Sequence, residues 1–235
     1  MINQKKLIKN VKKFFIGFLP SKYSFLVFIL FYIAGLIFTI ILPSYTASFF
    51  YYGFFLGNIE LKINLPVFIS FNYFINQFVY YLGAVSFNIF LNNLKTIILC
   101  IFTGVAIISS VLIGLFAFTG SLTVVLIGKY GILKAILILL GSFHLLLEIL
   151  ASLLAIDAFI KFYGSVIHLI KQADVNIFKK RILHEVLPLI LKIILLLAVA
   201  AILEVFWSTW WVYILTNHYI SWYEFYFGAY SVLIF

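Results

Sequence analysis

The sequence predicts an all-α fold: a polytopic transmembrane helix bundle of about five membrane segments, with amphipathic helices at the interface. Three observations predict it. Of 235 residues, 66% are hydrophobic and 10% charged, and the mean hydropathy of +1.21 lies far outside the range of soluble domains. Apolar runs at 23–42, 87–118, 132–170 and 187–216 each reach the roughly 20 residues that a helix needs to cross a hydrocarbon core. The net charge of +9 comes mostly from lysines beside these runs, the placement of orientation signals, and they form no long basic face for nucleic acid. The expected partner is therefore the lipid bilayer and not nucleic acid. The single cysteine, Cys100, excludes a disulfide framework and a paired-cysteine metal or redox motif.

Residues 1–22 carry Lys5, Lys6, Lys9, Lys12, Lys13 and Lys22 and no acid. They read as a basic cytoplasmic segment preceding a single transmembrane domain over 23–216. The first span, 23–42, is longer than the apolar core of a signal peptide, and "LPSYTAS" after it is a poor cleavage site, so it reads as uncleaved. An outer loop follows over 43–89. Its aromatic stretches suit the headgroup level, and Ser70, Asn72, Asn76 and Gln77 against Phe71, Phe74, Phe78 and Val79 suit an interfacial helix or a docking surface for another membrane subunit.

The second span is expected at 90–118. The run 132–170 is too long for one crossing, since at about 1.5 Å per residue it reaches roughly twice the core thickness. Gly120, Gly128, Gly131 and Gly141 place a third, weaker segment at 120–141 and a fourth at 143–168. Lys129 and Lys134 strain the third, which either snorkels them or forms a re-entrant hairpin. An inner basic loop, 171–186, holds Lys171, Lys179, Lys180 and Arg181, with Val175, Phe178, Ile182 and Val186 at helical spacing. It fits an amphipathic helix on an anionic leaflet, or a bare orientation signal. The fifth span, 187–213, ends in Trp207, Trp210, Trp211 and Tyr213, an aromatic belt, and 217–235 is an aromatic interfacial tail. Five spans from a cytoplasmic N-terminus put the C-terminus outside a cell membrane.

Within the fourth segment, "GSFHLLLEILASLLAID" (141–157), His144 and Glu148 share a helix face that continues through Ala151, Ala155 and Ala158, a small-residue stripe for close helix approach. Asp157 lies about 180° away and has Lys161 four residues on, a local ion pair near the inner boundary. The second segment offers a polar face of Asn92, Thr96, Cys100, Thr103, Ser110 and Gly114, and the fifth offers Ala200, Ala201, Glu204 and Ser208. A carboxylate at the membrane centre costs roughly 2.5–3.5 kcal/mol on insertion scales. Glu148 and Glu204 therefore need partners, the expected ones being His144, the Asn92 and Asn93 amides, Lys129 or Lys134, with Glu204 meeting the His144–Glu148 face across the bundle. Helix-packing glue, a proton or ion pathway, and a metal or catalytic centre compete. The last is disfavoured, because His-x-x-x-Glu supplies two ligands where a zinc enzyme has three, and no nucleophile elbow, P-loop or dinucleotide fingerprint is present.

"IFLNNLKTIILCIFTG" (89–104), "FTGSLTVVLIGKYG" (118–131), "GSFHLLLEILASLLAIDAFIKFYG" (141–164) and "LLLAVAAILEVFWS" (195–208) resemble, in order, the motifs of the stage II sporulation protein M family. The likeness covers 87–210 and puts Asn92, Asn93, Gly104, Gly120, His144, Glu148 and Glu204 on motif positions. Phe143 and Leu145 stand where the family has Pro and Gly around the His, the His-to-Glu spacing is one residue longer than the short form, and Thr119 replaces an Asn. The resemblance implies an integral membrane protein of about five spans with no known catalytic activity of its own; no cofactor or metal is expected, and the expected partners are other membrane proteins or, in a homo-oligomer, a second copy of the chain. The expected function is a non-enzymatic subunit or scaffold of a membrane complex. The alternative is a permease-like transporter component whose intramembrane His and Glu residues form a polar or proton pathway.

Overall fold

A computed structural model describes residues 18–44, 71–216, 219 and 221–227. Among them every regular element is helical, and five helices are long and apolar enough to cross a membrane. The chain is thus an all-α, multi-pass membrane protein.

Helix α1, Lys22–Ile41, starts at Ser21, whose hydroxyl accepts from the backbone N–H of Ser24 at 3.2 Å, the usual remedy for an orphan N-terminal donor. Helix α2, Phe71–Thr103, crosses with Leu82–Thr103. Most of the expected second span is therefore shifted: the helix begins well inside the supposed outer loop, and 45–70 lie outside the described residues. The expected interfacial helix forms the start of α2. Apolar continuity from 87 to 118 conceals the break at Gly104, which takes φ +69°, a conformation costly for any residue with a Cβ.

Helix α3, Ile107–Tyr130, is π-helical over Ile107–Ala117 and α-helical from Phe118. The third crossing is this helix, and the segment placed at 120–141 is divided at Gly131, φ +81°. Helix α4, Ile132–Gly141, has ten residues, about 15 Å of rise, half a hydrocarbon core. It folds back on α3, with Ala135 and Ile138 packed against Leu122 and Leu126.

Helix α5, Phe143–Gln172, and helix α6, Val175–Thr216, are joined by a tight turn in which Ala173 is left-handed and Asp174 caps α6 through the N–H groups of Asn176 and Ile177. The amphipathic piece expected over 171–186 exists but is continuous with the fifth span; Lys179 and Lys180 are exposed and Arg181 half-buried. Trp211 to Leu137, Trp207 to Gly141 and His144 to Ser208 are contacts whose opposed numbering makes α4 and α5 together one antiparallel limb against α6. The limb kinks at Ser142. There the carbonyls of Leu137 and Gly141 accept from the Trp211 and Trp207 indoles, and that of Ile138 accepts from the Ser142 hydroxyl. Backbone polar groups in hydrocarbon need such substitutes.

The core lies between α2, α3, α5 and α6, where Cys100, Ile101, Phe116, Leu154, Ile193 and Leu197 are buried. Ala151, Ala155 and Ala158 of α5 and Ala200 and Ala201 of α6 are wholly buried, the small side chains that let membrane helices approach. Helix α1 packs on α3 still more closely: a Cβ on Gly35 would sit 1.9 Å from the Ala117 carbonyl oxygen and one on Gly120 2.1 Å from that of Tyr32. The Ser121 hydroxyl donates to the Gly35 carbonyl across this crossing at 3.1 Å. The short helix α7, Trp222–Phe227, lies against α2 and α6 with Phe225 and Tyr226 buried beside Leu82 and Val205.

Candidate functional site

Helical phase puts Glu148 one turn beyond His144 on α5, but the two side chains find different partners. The Asn93 amide of α2 donates to Glu148 Oε1 at 2.7 Å. His144 Nδ1 stands 2.7 Å from the Ser208 hydroxyl of α6. Glu204 of α6 interacts electrostatically with Glu148. Asn93 of α2 and Glu204 of α6 thus both act on one carboxyl group of α5, and the α2 partner is Asn93, beside the expected stripe that begins at Asn92.

Glu148 and Asn93 line a cavity of about 190 Å³ together with Thr96 of α2, Ser110 and Gly114 of α3, and Ser152 of α5. Oxygen-bearing side chains thus gather at membrane depth, where polar surface is expensive. The volume is large enough to hold water among polar partners.

The α3 wall of the cavity is π-helical, and so, among the described residues, are Glu204–Ser208 of α6 beyond it and Ile182–Val186. Ser110 and Gly114 belong to the stretch in α3, and Glu204 and Ser208 open and close the one in α6, Glu204–Ser208. A π turn widens the helix, displaces carbonyls from their regular partners and often marks a functional site. In α6 those carbonyls find other donors: Thr209 Oγ1 of the same helix donates to Glu204, the Trp222 indole to Phe206 at 2.6 Å, and the Tyr226 hydroxyl to Val205. Burial pushes the Tyr226 phenol well above its ordinary pKa, so it stays a donor. Helix α7 therefore braces the turn that carries Glu204. Period-counting on the sequence cannot find π turns; aromatic Trp222 and Tyr226 in a nearly uncharged tail are the trace they leave.

Of the other expected residues, Thr96, Ser110 and Gly114 line the cavity and the rest stand elsewhere. Asn92 is exposed, one step around α2 from Asn93. Thr96 and Thr103 return their hydroxyls to the carbonyls of Asn92 and Leu99, and Cys100 lies in the apolar core. Ser110 and Gly114 lie beyond the Gly104 break, on α3. Lys129 and Lys134 are exposed, Lys129 over the Tyr130 ring at 5.2 Å, and neither reaches Glu148. Gly104 faces the Phe159 ring and Gly120 the backbone of α1, so both motif glycines serve chain geometry and packing.

Asp157 departs most. It does not pair with Lys161, which is exposed. Its carboxylate is buried and accepts from the Ser21 N–H at 2.8 Å, the Ser21 hydroxyl at 2.5 Å and the Ser24 hydroxyl at 2.5 Å. An anion is favoured at a helix N-terminus, where free N–H groups and the helix dipole meet it. The long-range cap satisfies Asp157 better than a flexible lysine at the surface can.

Among the described residues no three His, Cys, Asp or Glu side chains gather as a metal site would need. Compared with protein-family models, with curated proteins and with solved structures, the chain matches none.

Proposed function

We propose that the chain is a non-enzymatic, permease-like component of a membrane transport system, in which Glu148 is the polar centre of a proton or small-ion pathway. The observation that carries this reading is the Glu148 cavity: an intramembrane carboxyl bonded by Asn93, within electrostatic reach of Glu204, beside a partly polar space of about 190 Å³. Pure packing glue needs no such space, and intramembrane carboxylates facing one mark ion and proton routes. Glu148 exchanges the proton or cation, Asn93 orients its carboxyl, and Glu204 supplies a second carboxyl within electrostatic reach of Glu148.

A second reading, a scaffold subunit of a membrane complex, draws support from the side-chain bridges themselves. Asn93–Glu148 and His144–Ser208 tie α5 to α2 and α6, as interhelical hydrogen bonds do in static bundles. Membership in the stage II sporulation protein M family belongs to the same proposal, supported by four ordered motifs and by the meeting of Asn93, Glu148 and Glu204. So does a cytoplasmic N-terminus in the cell membrane, supported by the basic segment 1–22.

The test is proton flux down an imposed gradient into vesicles containing the purified chain and a trapped pH dye. The pathway reading expects flux above protein-free vesicles that Glu148→Gln removes. The scaffold reading expects no flux from either protein.

A further inference from the structure

A second concavity, of about 540 Å³, lies between the start of α1 and the face of α5. Its walls are apolar, with Leu19 and Phe25 on one side and Leu146, Leu150 and Leu153 on the other, and its mouth holds Lys22. Leu146, Leu150, Leu153, Asp157 and Lys161 follow one face of α5 at helical spacing. Because Asp157 grips Ser21 at the head of α1, the mouth is fixed at the level of Asp157. From there to Leu146 the helix rises about 16 Å at 1.5 Å per residue, close to one leaflet, half of a hydrocarbon core of about 30 Å.

Charge gathers at the mouth. Lys22 and Lys161 are exposed, and Lys161 lies one turn beyond Asp157. Lys192 of α6 interacts with Lys161 and holds its ammonium 5.7 Å from the Phe18 ring, beside Leu19. The acid at this point, Asp157, is buried and fully engaged by Ser21 and Ser24, so the surface presented outward is cationic. A groove one leaflet deep, apolar inside and cationic at the membrane boundary, has the chemistry of a lipid. A partner helix about 10–12 Å across and 16 Å long displaces on the order of 1,500 Å³, well beyond this volume.

We propose that this groove binds one acyl chain of an anionic phospholipid, drawn from the leaflet on the N-terminal side, with its phosphate held by Lys22 and Lys161. The site is distinct from the Glu148 cavity, since the two share no lining residue and open on different faces of α5. Bound lipid bridges α1 to α5 and reinforces the Asp157–Ser21 contact.

The test uses the full chain in vesicles of phosphatidylcholine doped with photoreactive-acyl phosphatidylglycerol or, separately, photoreactive-acyl phosphatidylcholine, with adducts mapped by mass spectrometry. Labelling at Leu146, Leu150 or Leu153 is expected to be at least fivefold greater for the anionic lipid. It falls to the phosphatidylcholine level in the Lys22→Gln, Lys161→Gln double variant, whose exposed substitutions leave the fold intact. Leu150→Trp, which fills the groove, removes it. Equal labelling by the two lipids, labelling unchanged in the double variant, or adducts spread evenly over the outer faces of the helices would overturn the proposal.

Discussion

Asp157 of α5 reaches across 136 positions of sequence to hold Ser21, taking both the backbone N–H and the hydroxyl at the first turn of α1. The contact ties the start of α1 to α5, as Ser121–Gly35 and Tyr32–Thr123 tie its later turns to α3. Hydrogen bonds to a charged group are worth about 1.5–3 kcal/mol, so Asp157→Ala is expected to lower stability by roughly 2–4 kcal/mol as it also leaves buried donors unmet. Lys161→Ala should change it by less than about 0.5 kcal/mol, the usual size of a surface substitution. Unfolding measured in the same detergent for both variants checks this. A loss of equal size at Lys161 would restore the local ion pair.

The crossing of α1 on α3 supplies a second expectation. A Cβ at Gly120 meets the Tyr32 carbonyl at 2.1 Å, while one at Gly128, on the same helix, meets nothing within 4 Å. Overpacking typically costs about 1–3 kcal/mol. Gly120→Ala should therefore destabilise by about that much and loosen α1, whereas Gly128→Ala should be neutral or slightly stabilising through helix propensity. A double-mutant cycle of Tyr32→Phe and Thr123→Val, whose native hydroxyls are 2.9 Å apart, reports the docking of α1: coupling is retained in Gly128→Ala and lost in Gly120→Ala.

Helix α7 should matter to the polar site without touching it. Trp222→Phe removes the donor to the Phe206 carbonyl within the π turn, which leaves a carbonyl unmet at a cost of about 1–3 kcal/mol. Amide exchange of 204–208, followed by mass spectrometry, is expected to speed up in this variant while that of α3 is unchanged. Faster exchange throughout would mean that α7 supports the whole bundle and not that turn.

Water access separates a pathway from a packed interface. Ser110 and Ser152 line the Glu148 cavity from two helices, whereas the native Cys100 is buried in the apolar core. In membranes, Ser110→Cys in a Cys100→Ala background is expected to react with a small cationic thiol reagent at least tenfold faster than native Cys100. Equal protection of both positions would show a dry cavity.

Much of the bundle was legible because its cause is local. Runs of about 20 apolar residues have few alternatives to a spanning helix, and five such helices are present. Their edges were not: Gly104 lies inside an apolar run and Gly131 is one of four glycines that could have broken the chain, and both ends rest on positive φ, which composition does not report. Of the polar residues, Glu148 declares itself by helical phase with His144. Choosing between Asn92 and Asn93 needs the rotation of α2, which the two adjacent amides leave undetermined. Asp157 escapes i,i+4 reasoning, which sees only its own helix; the signal for its true partner is Pro20-Ser21 just before an apolar run, a helix start whose free N–H groups call for an acceptor.

The central claim is that Glu148 serves ion or proton movement and is not needed to hold the bundle together. The most direct measurement is the pairing of melting temperature with gradient-driven proton flux for Glu148→Gln in one preparation. The substituted side chain keeps an oxygen for the Asn93 amide, so the melting temperature should stay within a few degrees, while flux falls at least tenfold. A variant that conducts like the original chain, or an original chain that conducts no more than protein-free vesicles, would contradict it.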